Sequence, residues 1–129
     1  MGGGGVGKSA LTLRLVIDSF SDGHEPTISD TYSATITADG QTSNVSILDT
    51  AGQDQFFAMQ DQWIKSSNSF LLVYSIDSST SFSELKQIRS KIMRIKGTNQ
   101  RKVPMYVNVE ICVGTALSKN YACFLTRTV

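Results

Sequence analysis

Eight residues near the amino end, Gly2-Gly3-Gly4-Gly5-Val6-Gly7-Lys8-Ser9, satisfy the spacing G-x-x-x-x-G-K-[ST]. A loop almost without side chains lets backbone N–H groups converge on phosphate oxygens. Gly7 opens a helix whose amino-terminal dipole favours an anion. Lys8 supplies a mobile cation for outer phosphates, and Ser9 offers a hydroxyl to Mg²⁺. The plainer alternative is a flexible glycine-rich terminus. A second group, Asp49-Thr50-Ala51-Gly52-Gln53, follows a stretch that reads as a strand. It places Asp49 at a strand's carboxyl end, where ligands of open α/β sheets bind. There an acid can hold a metal-bound water beside Ser9, Gly52 can turn an N–H toward a terminal phosphate, and Gln53 can orient an attacking water. A third, Glu25-Pro26-Thr27-Ile28, lies in a loop, where Thr27 can complete a metal shell. Thr27 and Gln53, taken singly, read as a loop threonine and a solvated turn residue. Three phosphate-and-metal elements in this order favour the functional reading.

These groups need elements to hold them. Ser9 to about Ser19 reads as a helix, with Leu11, Leu15 and Val16 on one side. Thr31–Ala38 alternates β-formers, Asp39-Gly40 signals a hairpin turn, and Asn44–Leu48 returns as a strand. Residues 55–66 suit a short helix. The apolar run 70–74 suits a buried strand. Residues 79–96 carry Phe82, Leu85, Ile88, Ile92 and Ile95 at helical spacing, and Gly97 ends that helix. Val103–Val109 reads as a further strand. Strands alternating with helices predict an α/β sheet with helices on its faces.

The whole chain bounds these readings. Its 129 residues carry 12 Lys+Arg against 11 Asp+Glu, a net charge of +1. The length allows one small domain. Near-neutral charge speaks against a dedicated nucleic-acid binder. The apolar runs are too short to span a bilayer, and the glycine-rich start is not a signal peptide. Two cysteines, Cys112 and Cys123, give neither a disulfide scaffold nor a metal spacing, so a reduced, cytoplasmic setting is expected. Residues 84–102 hold seven basic side chains and one acid, Glu84. That stretch reads as a solvated helix face, with an anionic membrane surface or acidic partner as the sharper alternative.

From Gly2 to about Met105 the chain resembles the Ras family of small GTPases. The resemblance rests on Gly7-Lys8-Ser9-Ala10-Leu11-Thr12, Pro26-Thr27-Ile28, Asp49-Thr50-Ala51-Gly52-Gln53, Ala58-Met59 with Asp61-Gln62, and Val103-Pro104-Met105. It implies a partial P-loop NTPase fold, an α/β three-layer sandwich, over residues 1–105, with a divergent tail over 106–129. It further implies a switch that hydrolyses GTP to GDP with Mg²⁺ in signal transduction. Gly2, Gly4, Gly5, Val6, Gly7, Lys8, Ser9, Ala10, Phe20, Thr27 and Gly52 would then contact nucleotide. Ser9, Thr27 and Asp49 would hold the metal, and Gln53 and Lys8 would serve the chemistry. Phe20 falls where the family packs an aromatic on guanine, and it reads equally as a helix-end core residue. Gly4 and Gly5 match glycines that leave room for a GTPase-activating protein's arginine finger, which raises the rate roughly 10³–10⁵-fold. Activating protein, exchange factor and effectors would meet residues 24–32 and 53–64. The two switch loops would be ordered by the third phosphate and released after hydrolysis.

The sequence also departs from the family. His24 stands where a tyrosine is usual, Ser29 where a glutamate is usual, and Phe56-Phe57 replaces a Tyr-Ser-like pair. His24 reads as a solvated loop histidine. Only Met1 precedes Gly2, so the family's first strand, which lies mid-sheet, is expected to be lacking and its neighbours unpaired. The guanine-reading N-K-x-D is replaced by Glu110-Ile111-Cys112-Val113, and the C-terminal elements are not recognisable. The tail reads as a strand followed by a non-homologous ending, and the chain ends without a prenylation box. Family members are often found at the inner face of the plasma membrane. The alternative function is a non-catalytic fragment with weak or unselective nucleotide binding, or one that binds only effectors. A chain that does not fold alone is the third reading.

Overall fold

The structure is a computed structural model and describes residues 1–18, 27–52, 56–97 and 103–110. The chain forms two compact units, one of Met1–Gly7 with Gly52–Val129 and one of Lys8–Ala51. Among the described residues β-pairing is antiparallel within the Lys8–Ala51 unit and parallel within the other.

The Lys8–Ala51 unit is a helix on a hairpin. Helix α1 (Lys8–Ile17) packs on strands β1 (Ser29–Ala38) and β2 (Gln41–Thr50). Asp39 and Gly40 both take positive φ, 50° and 74°. That conformation closes a two-residue hairpin with the strands' own twist, and glycine adopts it at no steric cost. The register pairs Thr35 with Asn44 and Thr37 with Thr42. Both pairs add side-chain hydrogen bonds, at 3.0 and 2.9 Å. Tyr32, Ala34 and Ile36 are half-buried between exposed neighbours, the alternation of a sheet with one solvated face. On α1, Leu15 does not join a buried stripe: it is 59% exposed, as is Ile17 at 60%.

The other unit is built around a parallel β-α-β element. Strand β3 (Phe70–Ser75) leads through α3 (Ser79–Lys96) to β4 (Met105–Glu110). Phe70 aligns with Met105 and Ser75 with Glu110. Helix α2 (Phe57–Ser66) precedes β3. Ile64, Phe70, Leu72, Leu85 and Ile92 form the core, with Ile88, Ile95, Val103 and Met105 packed against it. The helical repeat read in the sequence thus buries as expected except at Phe82. That ring is 47% exposed and packs edge-on against Tyr74, with centroids 5.0 Å apart. Leu71 likewise breaks the buried run of β3, at 45% exposed.

Helix α3 has marked ends. Ser78 caps it by accepting from Ser81 N, and Gly97 N donates to Met93 O at φ 78°. The Ser81 hydroxyl donates to Ser78 O (2.7 Å) and accepts from Ser75 N (3.0 Å), tying the helix start to the end of β3.

The expectation of unpaired neighbours needs correction at β3. Its free edge is met by Met1, whose amino group donates to Leu71 O (2.6 Å) and whose carbonyl accepts from Val73 N (2.8 Å). Strand β4 begins at Met105, where the Ras-like segment was expected to give way to the tail. Residues 111–129 lie outside the described residues. No described helix is long and apolar enough to cross a membrane.

Candidate functional site

The glycine loop is fitted to β3 by a close approach. A Cβ on Gly2 would lie 2.0 Å from Val73 O and 3.1 Å from its carbonyl carbon. Those atoms are backbone within a strand and have little room to move. A Cβ on Gly3 would lie 2.2 Å from Glu84 Oε2, so the α3 carboxylate sits against the loop. Gly5 and Gly7 take φ of 70° and 86°. Val6 is buried at 4% exposure, whereas Gly4 and Gly5 are exposed.

A cavity of about 290 Å³ opens beside Gly4, Gly5 and Val6 and is bounded by Ser75, Asp77 and Glu84 among others. The Ser75 hydroxyl donates to Asp77 Oδ1. Two carboxylates at its wall make it unfavourable to an anion.

The Lys8–Ala51 unit brings two of the expected metal-binding side chains, Ser9 and Thr27, into contact and carries the third, Asp49, near the end of β2. Lys8 opens α1 and is buried at 9% exposure. Ser9 Oγ and Thr27 Oγ1 share a hydrogen bond of 2.8 Å, joining residues eighteen apart in sequence. Ala10 is half-buried on the first turn of α1. Asp30 aligns with Asp49 and Ser29 with Thr50. The segment entering β1 and the end of β2 therefore lie together, and Ala51 N donates to Ile28 O (3.1 Å) to extend the pairing. Asp49 is buried at 4% exposure, as is Thr50. Partial burial first, and then the charges of Asp30 and Asp49, push the Tyr32 phenol above its ordinary value. It stays neutral at working pH.

The hydroxyls of Ser9 and Thr27 and the carboxylate of Asp49 are hard oxygen donors, a type that suits Mg²⁺. Such an ion is held by few protein ligands beside phosphates, and among the described residues no cage of three His, Cys, Asp or Glu occurs. The residues present therefore fit the ion that the sequence suggests. Gln53, Phe20 and His24 lie outside the described residues, and Gly52 is half-buried just after β2. The sequence patterns did not single out the contact of Glu84 with the glycine loop. Its only trace is an acid in the first half of a basic helix.

Comparison with known proteins adds two findings. The family model described as "Ras family" matches residues 1–112. Protein ras-2 of Neurospora crassa is 45% identical over 96 residues, which is 74% of this chain and 42% of that protein. The chain thus spans less than half the length of that relative.

Proposed function

The chain belongs to the Ras family, and on that premise we propose that it is a GTP-binding switch that hydrolyses GTP to GDP with Mg²⁺. The observation that carries this reading is the Ser9–Thr27 hydroxyl pair at the end of the hairpin that also bears Asp49. Thr27 lies in the first switch segment of the family pattern, and Ser9 lies in the phosphate-loop motif. A bond between them supports a site in which the switch segment reports on the ligand.

Ser9, Thr27 and Asp49 would hold Mg²⁺, which when bound neutralises charge on the outer phosphates. Gly2, Gly4, Gly5, Val6, Gly7 and Ala10 would line the phosphates with backbone N–H groups. Lys8 would balance charge on the transferring phosphoryl group, and Gly52 would donate its N–H to the terminal phosphate. Gln53 would orient the attacking water. Residues 24–32 and 53–64 would meet the activating protein, exchange factor and effectors.

The departure at Glu110-Ile111-Cys112-Val113 favours a second reading, a phosphate site without base selection. No carboxylate stands at the place that reads the guanine edge. Titration with fluorescent GTP and ATP analogues, with and without Mg²⁺, separates the two. Tight, Mg²⁺-dependent binding with strong preference for GTP supports the switch. Equal binding of both nucleotides supports the second reading. Gln53→Leu is expected to slow single-turnover hydrolysis far more than it weakens binding. Equal hydrolysis rates for variant and parent would remove Gln53 from its role.

A further inference from the structure

Glycine loses more backbone freedom on ordering than any other residue, and positions 2–5 are four glycines in succession. A ligand that meets such a loop unheld must supply its ordering entropy on binding. A loop held in place beforehand binds more tightly for the same contacts. The first two glycines are buried and the next two are exposed. Gly2 lies against the Val73 carbonyl of β3. Gly3 lies against the Glu84 carboxylate: a Cβ there would stand 2.2 Å from Oε2 and 3.3 Å from the carboxyl carbon.

Glu84 reaches the loop from a fixed turn of α3. One turn before it, Ser81 is 5% exposed, and its hydroxyl joins the end of β3 to the helix cap. Beside it, Leu85 belongs to the core. Glu84 itself is half-buried, and it is the only acid in the basic stretch 84–102. An ionised carboxylate accepts hydrogen bonds and donates none, and a glycine offers one donor, its backbone N–H. Asp77, the other acid at the cavity wall, is engaged elsewhere, since the Ser75 hydroxyl donates to it.

We propose that Glu84 is a positioning residue for the phosphate loop. Its carboxylate holds the loop backbone at Gly3, so that the exposed Gly4 and Gly5 meet the nucleotide as part of an ordered chain. This role rests on the GTP-binding reading above and adds a residue that lies outside the three phosphate-and-metal motifs. Its sign separates it from a purely electrostatic effect. A carboxylate near bound phosphate repels it, so loss of the charge alone would tighten nucleotide binding. Loss of the hold on the loop weakens it.

Variants of the full chain, titrated with a fluorescent GTP analogue and Mg²⁺, test the role. Glu84→Ala is expected to weaken binding about tenfold, the order expected for releasing one loop residue. Glu84→Gln keeps the length and an acceptor oxygen without the charge, and should bind at least as tightly as the parent. Gly3→Ala, whose methyl displaces the carboxylate, should match Glu84→Ala, and combining the two should add no further loss. Unchanged or tighter binding in Glu84→Ala overturns the proposal. So does a loss in Glu84→Gln equal to that in Glu84→Ala, or additive losses in the double variant. If Glu84→Ala does not fold, Gly3→Ala, which retains Glu84, carries the same test. Backbone ¹⁵N relaxation of the nucleotide-free chain keeps this role apart from the switch reading. Order parameters at Gly3 and Gly4 should fall from about 0.85 toward about 0.6 in Glu84→Ala and hold in Glu84→Gln. If the parent binds no nucleotide, the switch reading fails, and the order parameters alone decide: unchanged values in Glu84→Ala overturn the role of Glu84.

Discussion

Gly2 and Gly3 are neighbours in a run of glycines, yet substitution should affect them differently. A methyl on Gly2 meets the Val73 carbonyl, which is fixed within β3, whereas a methyl on Gly3 meets the far end of the Glu84 side chain. The first contact must be relieved by backbone movement, at about 1–3 kcal/mol or more, and the second by a rotamer change. Urea unfolding should therefore show Gly2→Ala as clearly more destabilising than Gly3→Ala. Equal losses would mean that the loop shifts freely against β3. At Thr27 the hydroxyl, not the volume, is the functional feature. Thr27→Ala should weaken Mg²⁺-dependent nucleotide binding by on the order of tenfold, whereas Thr27→Ser, which keeps the oxygen, should stay near the parent. Titration of Mg²⁺ at fixed nucleotide reads both. The glycine loop's residue types were plain in the sequence, but the unequal demand on Gly2 and Gly3 was not. It depends on which atoms stand beside each one.

At the scale of elements, the contact between α2 and α3 has a pH signature. The hydrogen bond from Lys91, outweighing desolvation and helped by the charges of Lys91, Arg94 and Lys65, holds the Asp61 carboxyl below its ordinary value. The folded-state value is thus lower than the unfolded one. The associated stability is present above the ordinary carboxylate range and is lost as pH falls through the lowered folded value. Carboxyl NMR should place the Asp61 midpoint below that of an unpaired aspartate and move it up in Lys91→Met. An unmoved midpoint would show that Lys91 is not its partner in solution. The element boundaries themselves were largely legible. The helix read over 79–96 is α3 as found, and the Asp39-Gly40 turn closes the hairpin as its chemistry requires. The strands of the hairpin run longer than the β-forming residues alone suggested, since pairing across the ladder carries Ser29 and Thr50 into the sheet.

For the whole molecule, binding that favours the folded state must raise stability by mass action, by about 2.7 kcal/mol at a ligand concentration one hundred times Kd. Thermal unfolding of the chain should accordingly move upward with GTP and Mg²⁺ and return when Mg²⁺ is chelated. A shift of the same size with ATP would point to the phosphate site without base selection. No shift with either nucleotide would count against a nucleotide site in this chain. The alternating helices and strands agree with the mixed α/β fold of the family. The contact of Met1 with the edge of β3 was not foreseen.

By itself the sequence determined the phosphate-loop pattern, the order of helices and strands, and the family to which the chain belongs. These are carried by local spacing, by helical and strand periodicity, and by residue types whose backbone preferences act over a few positions. Only the tertiary structure decided that Ser9 meets Thr27 and that Gly2 must lack a side chain. It also decided that Lys91 turns from a seemingly solvated basic face onto a helix thirty residues earlier. A long lysine side chain looks the same in sequence whether it reaches into water or across to a neighbouring helix. Its partner is set by which element packs opposite, and that follows from the burial of Ile64, Leu85 and Ile92 in one core.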